Sequence, residues 1–561
     1  MRITKSNQEK NKKENYKKIL KEVKKEVKGI TLIALVVTVI VLLILAGVAI
    51  NLTVGDNGLF RRAQNAADTW QMAEQNEQSE LKNMESLING YQYNIDIPQV
   101  EDKNAGVLEE VDDNTLEIQS IEDLVVFSYN VKNGNGYDGK IVRLAYNLDF
   151  NSDKSYVDPM RRDYEEYGYE GPLKVALTSG AGFEPIGIAG GNSFRGVFDG
   201  NNNCICSLYE NINSSEVIRI GLFGVNSGEI RNLGLINCNI NIKCATTTIV
   251  GGVTAINAGN LINCHTDGKI NVDMQSGWGI IGGICGAQTN NGTIEKCSNN
   301  IELDLDNNGE IGEADISCGG IVGQNNDTNP HTLNINECYN RAKISAHAEN
   351  VRIVAGGILG STSSLSQTQI TNSYNTGKIE VTGKGGDSNN PSSVGGILGD
   401  VCNSIINCYN LGEIFTDSQY AYIGGVVGFR FNNLQNVINL GTVIAKGENG
   451  ENIRVGGING RGSGTMENVY NIGKVTLDNS GGLIGAIIGG RYIQEEYNFI
   501  NCKYLKGSAS NAIGDNYIFD GIEEIDDIEQ MPIVIEVINS ENVFKEDNNN
   551  INNGYPILSW Q

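Results

Sequence analysis

One acidic segment of the chain carries side chains that could bind a metal ion. Asp304, Asp306 and Asn308 stand at alternate positions and are followed directly by Gly309. Carboxylate and amide oxygens are the ligands that calcium prefers, and a glycine permits the sharp turn that wraps a loop around the ion. Clusters of Asp, Asn and Gly also form ordinary surface turns. The segment therefore predicts either a calcium site or an acidic loop between two structural elements.

The same segment resembles the calcium loop of EF-hand and dockerin proteins. The resemblance implies that Asp304, Asp306 and Asn308 are the ligands at loop positions 1, 3 and 5. It also implies that Glu310 offers its backbone carbonyl at position 7 and that Asp315 closes the loop at position 12, as in dockerins. No paired flanking helices are evident. Calcium is the one cofactor that the sequence suggests.

A recurring box of the form Gly-Gly-apolar-x-Gly shows which elements must position these residues. Seven copies begin at Gly282, Gly319, Gly356, Gly395, Gly424, Gly456 and Gly481. Two looser copies begin at Gly221 and Gly251, and the nine copies lie 25 to 39 residues apart. That spacing is typical of stacked repeats, in which one coil of chain cannot bury its apolar faces alone.

A second box, Asn-x-x-Asn-x-Gly-x-apolar, lies between copies of the first, as in residues 372–379, 407–414 and 468–475. Asparagine tolerates left-handed backbone, and glycine allows close backbone approach at a corner. The pattern predicts a mainly β fold, a parallel β-helix or β-solenoid with one coil per repeat. We expect a cap and first coils over 116–220, the repeats over 221–515 and a C-terminal cap over 516–561.

The Gly-Gly-Ile-x-Gly box resembles the GLUG motif of bacterial surface proteins. Residues 183–187 and 194–200 resemble two further boxes of that family, Asp123 and Leu124 lie in a leading segment of its kind, and residues 553–561 resemble its closing cap. The resemblance covers residues 116–561 and implies a right-handed solenoid at the cell surface. Such arrays serve many functions, so the resemblance does not specify a ligand.

Catalytic motifs are not evident. Some GLUG proteins are zinc peptidases that cleave immunoglobulin A, but this chain has only His265, His331 and His347 and no His-Glu-x-x-His motif. No Gly-x-Ser-x-Gly, phosphate-binding loop or dinucleotide fingerprint stands out. Scattered carboxylates could serve a sugar-cleaving β-helix enzyme, although no pair is preferred. The sequence therefore predicts that the protein is not an enzyme.

Twelve cysteines in an exported chain invite a disulfide interpretation. Six of them occupy one column of the second box: Cys238, Cys264, Cys297, Cys338, Cys408 and Cys502. Ser373, Val437 and Val469 fill the same column, so the column predicts small buried side chains. A disulfide between neighbouring coils remains an alternative. Cys204 and Cys206 alternate as in a strand and face the same side, with little support for a metal pair.

An apolar run near the N-terminus predicts a membrane anchor. Residues 30–52 form 23 nearly all apolar residues, long enough to span the hydrocarbon core. The leader, 1–29, carries a net charge of +7, so the positive-inside rule places it in the cytoplasm and the bulk outside the cell. A secretory signal peptide would have a shorter apolar region. We expect a single-pass protein of the cell membrane.

The stretch from Lys28 to Ile33 resembles the leader of type IV pilins and pseudopilins. The resemblance implies processing by a prepilin peptidase between Gly29 and Ile30. It also implies pilin-like subunits as partners, although Ala34 stands where pilins usually have Glu. Apolar residues at three- and four-residue steps predict a juxtamembrane helix over 53–93, a packing face for another helix or a spacer. An acidic linker follows over 94–115.

The charge distribution limits the partners. The net charge is −25, and the +7 of the leader leaves −32 for the rest, which disfavours nucleic acid. The sequence therefore favours a membrane-anchored surface protein that displays the solenoid for adhesion to an extracellular protein or glycan. A pseudopilin-like component of a pilus or secretion machine is the first alternative. A carbohydrate-active β-helix enzyme is the second.

Overall fold

The computed structural model describes Lys17 and residues 108–561, except for 152–179, 189–191, 308–314, 326–329, 364–366, 448–451, 479–480, 493–495, 527–542, 550 and 553–554. The chain divides into two units, Met1–Tyr91 and Gln92–Gln561, and the description below concerns the second. Apart from Lys17, the predicted leader, membrane helix, juxtamembrane helix and most of the acidic linker lie outside the described residues, as do Gly29 and Ile30. Within the described residues, we find no helix with the length and apolar character needed to cross a membrane.

The described fold is built from short strands and one helix. Its first part contains β1 (Glu109–Asp112), β2 (Thr115–Ile118), α1 (Ile121–Lys132), β3 (Ile141–Leu144), β4 (Leu148–Asp149), β5 (Val197–Cys206) and β6 (Tyr209–Ser214). The first three turns contain β7 (Ile218–Ile220), β8 (Phe223–Asn226), β9 (Glu229–Cys244), β10 (Thr248–Gly251), β11 (Thr254–Asn257), β12 (Asn260–Met274), β13 (Gly279–Gly282), β14 (Cys285–Gln288), β15 (Gly292–Glu295) and β16 (Ser298–Asn307).

The next three turns contain β17 (Asp315–Gly319), β18 (Val322–Asn325), β19 (Thr332–Asn336), β20 (Tyr339–Asn340), β21 (Ile344–Ala348), β22 (Arg352–Gly356), β23 (Leu359–Thr362), β24 (Gln367–Thr371), β25 (Tyr374–Asn375), β26 (Ile379–Thr382), β27 (Ser392–Gly395), β28 (Cys402–Asn410) and β29 (Ile414–Thr416). The remainder contains β30 (Ala421–Gly424), β31 (Phe431–Asn439), β32 (Val443–Ala445), β33 (Arg454–Gly456), β34 (Asn459–Gly462), β35 (Gly464–Asn471), β36 (Val475–Leu477), β37 (Leu483–Gly485), β38 (Ile488–Arg491), β39 (Tyr497–Ile500), β40 (Cys502–Leu505), β41 (Ile522–Ile525), β42 (Phe544–Lys545) and β43 (Ile557–Leu558).

These strands stack into a parallel β-solenoid of about nine turns, as the repeats predict. Each turn contributes one strand to a nine-stranded sheet that runs from β7 to β37. After the Gly-Gly corner the chain enters a narrow second sheet, for example at β8, β11 and β14, and then a long third sheet. In the third sheet every strand from β5 to β41 pairs in parallel with a strand of a neighbouring turn.

The core lies inside the coil because alternate residues of each strand point inward. Equivalent positions of successive turns form columns, such as Ile335, Ile370 and Ile405, which are all fully buried. The columns join into one continuous apolar core. At its N-terminal end α1 packs on the core through Leu124 and Phe127, and a capping box between Ser120 and Asp123 fixes the start of this helix.

The first asparagine of the second box turns the chain at a corner. Asn407, Asn436, Asn468 and Asn501 have φ between 51° and 57°, which is the left-handed region that asparagine tolerates. Their amides also bond along the stack: Asn436 Nδ2 donates to Asn407 Oδ1 at 2.9 Å. This row forms the outer asparagine ladder, which satisfies polar groups and holds the backbone conformation at each corner.

The second asparagine of the box points inward and forms a separate row. The inner asparagine ladder consists of Asn299, Asn340, Asn375, Asn410, Asn439 and Asn471. Each amide of this row donates to the next amide oxygen at 2.8–2.9 Å. Asn375 Nδ2 also donates to the Gly377 carbonyl at 2.9 Å. Since buried amides are costly without partners, the ladder works only when consecutive turns carry it.

Strand register corrects two sequence alignments. Gly456 pairs with Gly485, so the ninth box is Gly485-Ala486-Ile487-Ile488-Gly489 rather than the copy that begins at Gly481. The Gly-Gly pair at 481–482 lies in the loop before β37. Glycine is common in loops as well as in the box, so this pair has the appearance of a further copy. Cys264 pairs with Leu233, and Cys238 pairs with Gly268. The placement of Cys238 in the common column was therefore wrong, whereas Val437 does continue the column of Cys408.

The chain's last residues lie along the side of the solenoid. β41 pairs with β40 and continues the stack, but the antiparallel pair β42 and β43 packs on a row of side chains from earlier turns. In this row, the rings of Tyr339, Tyr374 and Tyr409 stack at centroid distances of 4.9 Å. Phe544 and Leu558 are buried against the row. Only part of the predicted 516–561 cap therefore continues the coil.

Candidate functional site

An open groove, lined mainly by polar side chains, crosses the outer face of the third sheet near the start of the solenoid. It spans β6, β9, β12 and β16 and has a volume of about 360 Å³. Strand register places Asn211, Asn241, Asn271 and Asp304 in one row along its length. The groove is lined by Asn211, Asn241, Ile242, Lys243, Asn271, Val272, Asp273, Asp304 and Asp306.

A second row of polar side chains follows the first. Lys243, Asp273 and Asp306 occupy equivalent positions in three successive turns. The alternation of β16 explains why both aspartates face outward: Leu303 and Leu305 are buried in the core. Neighbouring strands lie about 4.8 Å apart, so the rows present polar groups at a regular short spacing.

Hydrogen bonds and weak ion pairs hold the groove floor. Asn271 Nδ2 donates to Asn241 Oδ1 at 2.8 Å. Lys243 Nζ lies 3.4 Å from Asp273 Oδ2, and an ammonium from outside the groove, Lys269 Nζ, lies 3.9 Å from Asp304 Oδ2. These pairs are exposed, so each contributes at most about 1 kcal/mol and can yield to a ligand. The floor therefore offers amide donors and acceptors together with carboxylates and an ammonium group.

The structure separates the residues of the predicted calcium loop. Asp304 and Asp306 lie in β16 and pair with strands on both sides. An extended strand holds alternate residues about 6.6 Å apart, whereas a calcium loop curls its first ligands around the ion. Asn308 and Glu310 lie outside the described residues. Among the residues that are described, no three His, Cys, Asp or Glu side chains are grouped to hold a metal ion.

Asp315, the last residue of the predicted loop, has other contacts. It begins β17, and its carboxylate lies 3.3 Å from Arg352 Nη1. Arg352 also lies 2.9 Å from Asp400, and burial raises the pKa of Asp315 despite the nearby guanidinium. The Asp315 carboxylate therefore takes part in a partly buried ion-pair network. Calcium binding stays a prediction, while Asp304 and Asp306 belong to the groove.

Two of the three histidines, His265 and His331, are buried and hydrogen-bonded within the fold. His265 is buried, with Nδ1 2.7 Å from Ser298 Oγ and Nε2 3.0 Å from Asn263 Oδ1. Burial lowers the pKa of His265 to about 4, so this ring is neutral at pH 7. His331 is buried with Nε2 2.6 Å from Asn325 Oδ1, and His347 lies half-buried beside Thr382. The contacts of His265 with Ser298 and of His347 with Thr382 join neighbouring turns, whereas His331 bonds within its own turn.

The groove was not among the sites predicted from the sequence. Asn211, Asn241 and Lys243 belong to no motif, and they come together only through the register of strands about 30 residues apart. One signal was visible: the alternation of Leu303, Asp304, Leu305 and Asp306 is typical of a strand with one buried face.

No protein-family model matches the chain, and no curated protein matches it. The chain is similar to a solved structure described as the "crystal structure of a putative immunoglobulin A1 protease from Bacteroides ovatus". The identity is 14%, the TM-score is 0.36, and the match covers 80% of this chain and 92% of that chain. At these values the similarity assigns no activity or substrate to this chain.

The comparison nevertheless corrects one prediction. The sequence predicts that the protein is not an enzyme, and the protease name of the matched protein contradicts that exclusion. The missing His-Glu-x-x-His motif excludes only one kind of peptidase, and a motif search cannot find residues that strand register brings together. Cleavage of a bound ligand therefore has to be measured together with binding.

Proposed function

We propose that the protein is held in a cell membrane by its N-terminal region and displays the solenoid outside the cell, where the groove binds an extended glycan. The observation that carries the proposal is the groove itself, with amides and carboxylates repeated along several adjacent strands. Sugar hydroxyl groups both donate and accept hydrogen bonds, and this floor offers partners for both. An open shape also suits a polymer, which can extend beyond the lined region.

The charge of the groove favours a neutral or weakly charged glycan. Asp273, Asp304 and Asp306 outnumber the lysine in the lining, and the chain as a whole is acidic. A polyanion would be repelled by this surface. An adhesive function follows, because a groove on the outer face of a displayed solenoid is open to a glycan on another surface.

Binding is tested with the purified full chain on an array of neutral and charged glycans. We expect Asn241→Ala and Asp273→Asn to weaken binding of a retained glycan about tenfold each, since the first removes an amide and the second replaces a charged acceptor with a neutral amide. Thr476→Ala is the matched control, because Thr476 lies on the same sheet in a later turn, outside the groove lining. Equal binding by all three variants would refute the groove as the binding site.

The same samples are examined for cleavage of the retained glycan. Shortened products that disappear in Asp273→Asn would identify a carbohydrate-active enzyme, whereas an intact glycan after prolonged incubation would support binding alone. An array that retains no glycan in any condition would refute the proposed ligand class.

Anchoring is tested separately by N-terminal sequencing of the protein recovered from membranes. The Lys28-Gly29-Ile30 stretch supports processing by a prepilin peptidase, so we expect a start at Ile30. This start would also favour the second candidate function, a pseudopilin-like component, which predicts co-purification of pilin-like subunits with the anchor region. Recovery of the chain only in soluble fractions would refute the anchor.

A further inference from the structure

Two cysteines of β5 lie side by side on the outer face of the third sheet. Cys204 Sγ and Cys206 Sγ are 3.3 Å apart. Ile205, between them, is fully buried in the core, so the alternation of the strand turns both thiols away from the core. Cys204 is covered, whereas Cys206 is half-buried and accessible to a small reagent.

The remaining ten cysteines have a different environment. They all belong to the continuous apolar core: Cys238, Cys244, Cys264, Cys285, Cys297, Cys318, Cys338, Cys402, Cys408 and Cys502. Burial raises the pKa of core thiols such as Cys285 and Cys402, which keeps them protonated and unreactive. Among the core thiols, Cys264, Cys297 and Cys338 are also hydrogen-bonded to one another, and despite burial these bonds lower the pKa of Cys297. The pair on β5 differs because it lies outside that core and because Cys206 is only half-buried.

Polar contacts surround the pair. Asn147 Oδ1 accepts a hydrogen bond from the Cys204 backbone N–H at 2.9 Å and lies 3.3 Å from Cys204 Sγ. The hydrogen bond between the two thiols lowers the pKa of Cys204 and raises that of Cys206, while the carboxylate of Asp149 opposes ionisation of either. When the pair holds a single proton, Cys204 is the thiolate and Cys206 is the thiol that donates a hydrogen bond to it.

We propose that Cys204 and Cys206 form a site of oxidative modification, at which exchange with a small disulfide closes a disulfide bond across Ile205. The accessible sulfur of Cys206 attacks one sulfur of the reagent, passes its proton along the hydrogen bond to Cys204, and releases one thiolate. Cys204 then loses its proton to water, attacks Cys206 Sγ and releases the second thiolate. The protein loses two hydrogens, and the reagent disulfide is reduced to two thiols.

The strand geometry permits this bond with local adjustment. Alternate residues of a strand have Cα atoms about 6.6 Å apart, inside the range of about 4.4–6.8 Å that disulfides span. The sulfurs must approach from 3.3 Å to about 2.05 Å, which rotation of the two side chains can supply. Ser207, with φ of 60°, ends the strand directly after Cys206 and gives the backbone a nearby turn to adjust.

A disulfide bond that spans only one residue adds little to the stability of the fold. Disulfides stabilise mainly by closing long loops of the unfolded chain, whereas the loop from Cys204 to Cys206 contains only three residues. Both cysteines also lie in the same turn, so their bond would not join neighbouring turns. A role in redox chemistry or in covalent capture of a thiol partner fits this placement better than a role in stability.

The test uses the native full chain after complete reduction and removal of the reductant. It is incubated with oxidised glutathione, treated with an alkylating reagent after unfolding, and analysed by intact mass and peptide mapping. We expect two of the twelve thiols to escape alkylation and the loss to map to the peptide that contains Cys204 and Cys206. Twelve alkylated thiols, or a loss that maps to core cysteines, would overturn the proposal.

Two variants sharpen the result. Cys206→Ser should leave Cys204 unable to close the bond, so all eleven remaining thiols stay available or carry glutathione. Cys264→Ser, a core control, should still lose two thiols at the same site. The wild-type peptide map decides the question even if a variant folds poorly, and oxidation in Cys206→Ser equal to that of the wild type would also overturn it.

Discussion

The side chain of Asn340 occupies the space that a side chain at Gly320 would need. A β-carbon at Gly320 would lie 2.4 Å from Asn340 Cγ and 2.1 Å from the carbonyl oxygen of Gly357 in the next turn. The Gly-Gly box and the asparagine box therefore meet inside the coil. Glycine at this corner is required by the buried amide and the adjacent turn, since no larger residue fits without displacing both.

Gly320→Ala should destabilise the solenoid. The added methyl group must push away a backbone carbonyl and a buried amide, and such overpacking costs about 3 kcal/mol. Chemical denaturation of the variant, followed by circular dichroism, measures the loss. Glu302→Ala, on the exposed face of β16, is the control and should change stability by less than about 0.5 kcal/mol. A Gly320→Ala protein as stable as this control would contradict the packing described.

Replacing Glu337 should stabilise the protein. Glu337 has φ of 52° at the corner where other turns have asparagine, and left-handed backbone costs such a residue about 1 kcal/mol. Glu337→Asn should recover most of that cost. Asn436→Ala should lose a similar amount, because it removes both the tolerated conformation and a ladder hydrogen bond. Opposite shifts in the denaturation midpoint are expected, and shifts of the same sign would disprove the explanation.

Stability should depend on pH through Glu210. This carboxyl group is fully buried, and burial raises its pKa from 4.5 to about 8, against a small opposing effect of the Gly221 backbone N–H. The folded state therefore holds a proton that the unfolded state has released, so stability falls as pH rises from about 4.5 to 8 and is constant above. The loss at pH 8 amounts to about 4 kcal/mol.

Glu210→Gln removes this titration while keeping the size of the side chain. Its stability relative to the wild type should therefore increase between pH 5 and pH 8, as measured by thermal unfolding at several pH values. Glu302→Gln, an exposed control, should follow the wild type throughout. A difference between Glu210→Gln and wild type that does not vary with pH would show that Glu210 titrates normally.

The segment that contains β42 and β43 should detach from the side of the solenoid when Trp560 is replaced. Its ring lies 5.8 Å from Tyr374 and 6.1 Å from Tyr339, and its Nε1 donates to the Asn372 carbonyl at 3.0 Å. Trp560→Ala should weaken docking of the last residues by about 1–2 kcal/mol, since both aromatic contact and a hydrogen bond are lost.

Limited proteolysis measures this detachment. Cleavage within residues 543–561 should become roughly tenfold faster in Trp560→Ala, while the rest of the solenoid stays resistant. Trp278→Ala is the control, because Trp278 is exposed in the loop before β13. If both variants are cut at the wild-type rate, Trp560 does not hold the segment.

Much of the fold could be predicted because its constraints recur in every turn. The glycine and asparagine boxes set the period, and small residues such as Cys408, Val437 and Val469 do share a column. The ninth box was misplaced because Gly481 and Gly482 stand in a loop, where glycine is also common. Cys238 was misplaced because β9 has a different residue spacing from later turns.

The groove could not be predicted in the same way. Asn211 is exposed and Asn241 and Asn271 are half-buried, and polar residues on the outer face carry no hydrophobic pattern that would fix their strand register. The turn-like composition around Asp304 and Asp306 favoured a loop, yet the alternating leucines placed both residues on a strand. Local composition predicted a loop, whereas the alternation of apolar and acidic residues predicted a strand. The strand formed because it buries Leu303 and Leu305 in the core.

The docked C-terminal segment changes how the solenoid can come apart. Repeat arrays normally lose their terminal turn first, because that turn has a neighbour on one side only. Here Gln561 is hydrogen-bonded to the Tyr409 hydroxyl, several turns before β41. Fraying from this end must therefore also strain or release a contact in the interior of the array. The segment couples the outermost turn to inner ones and should slow unzipping of the array from this side.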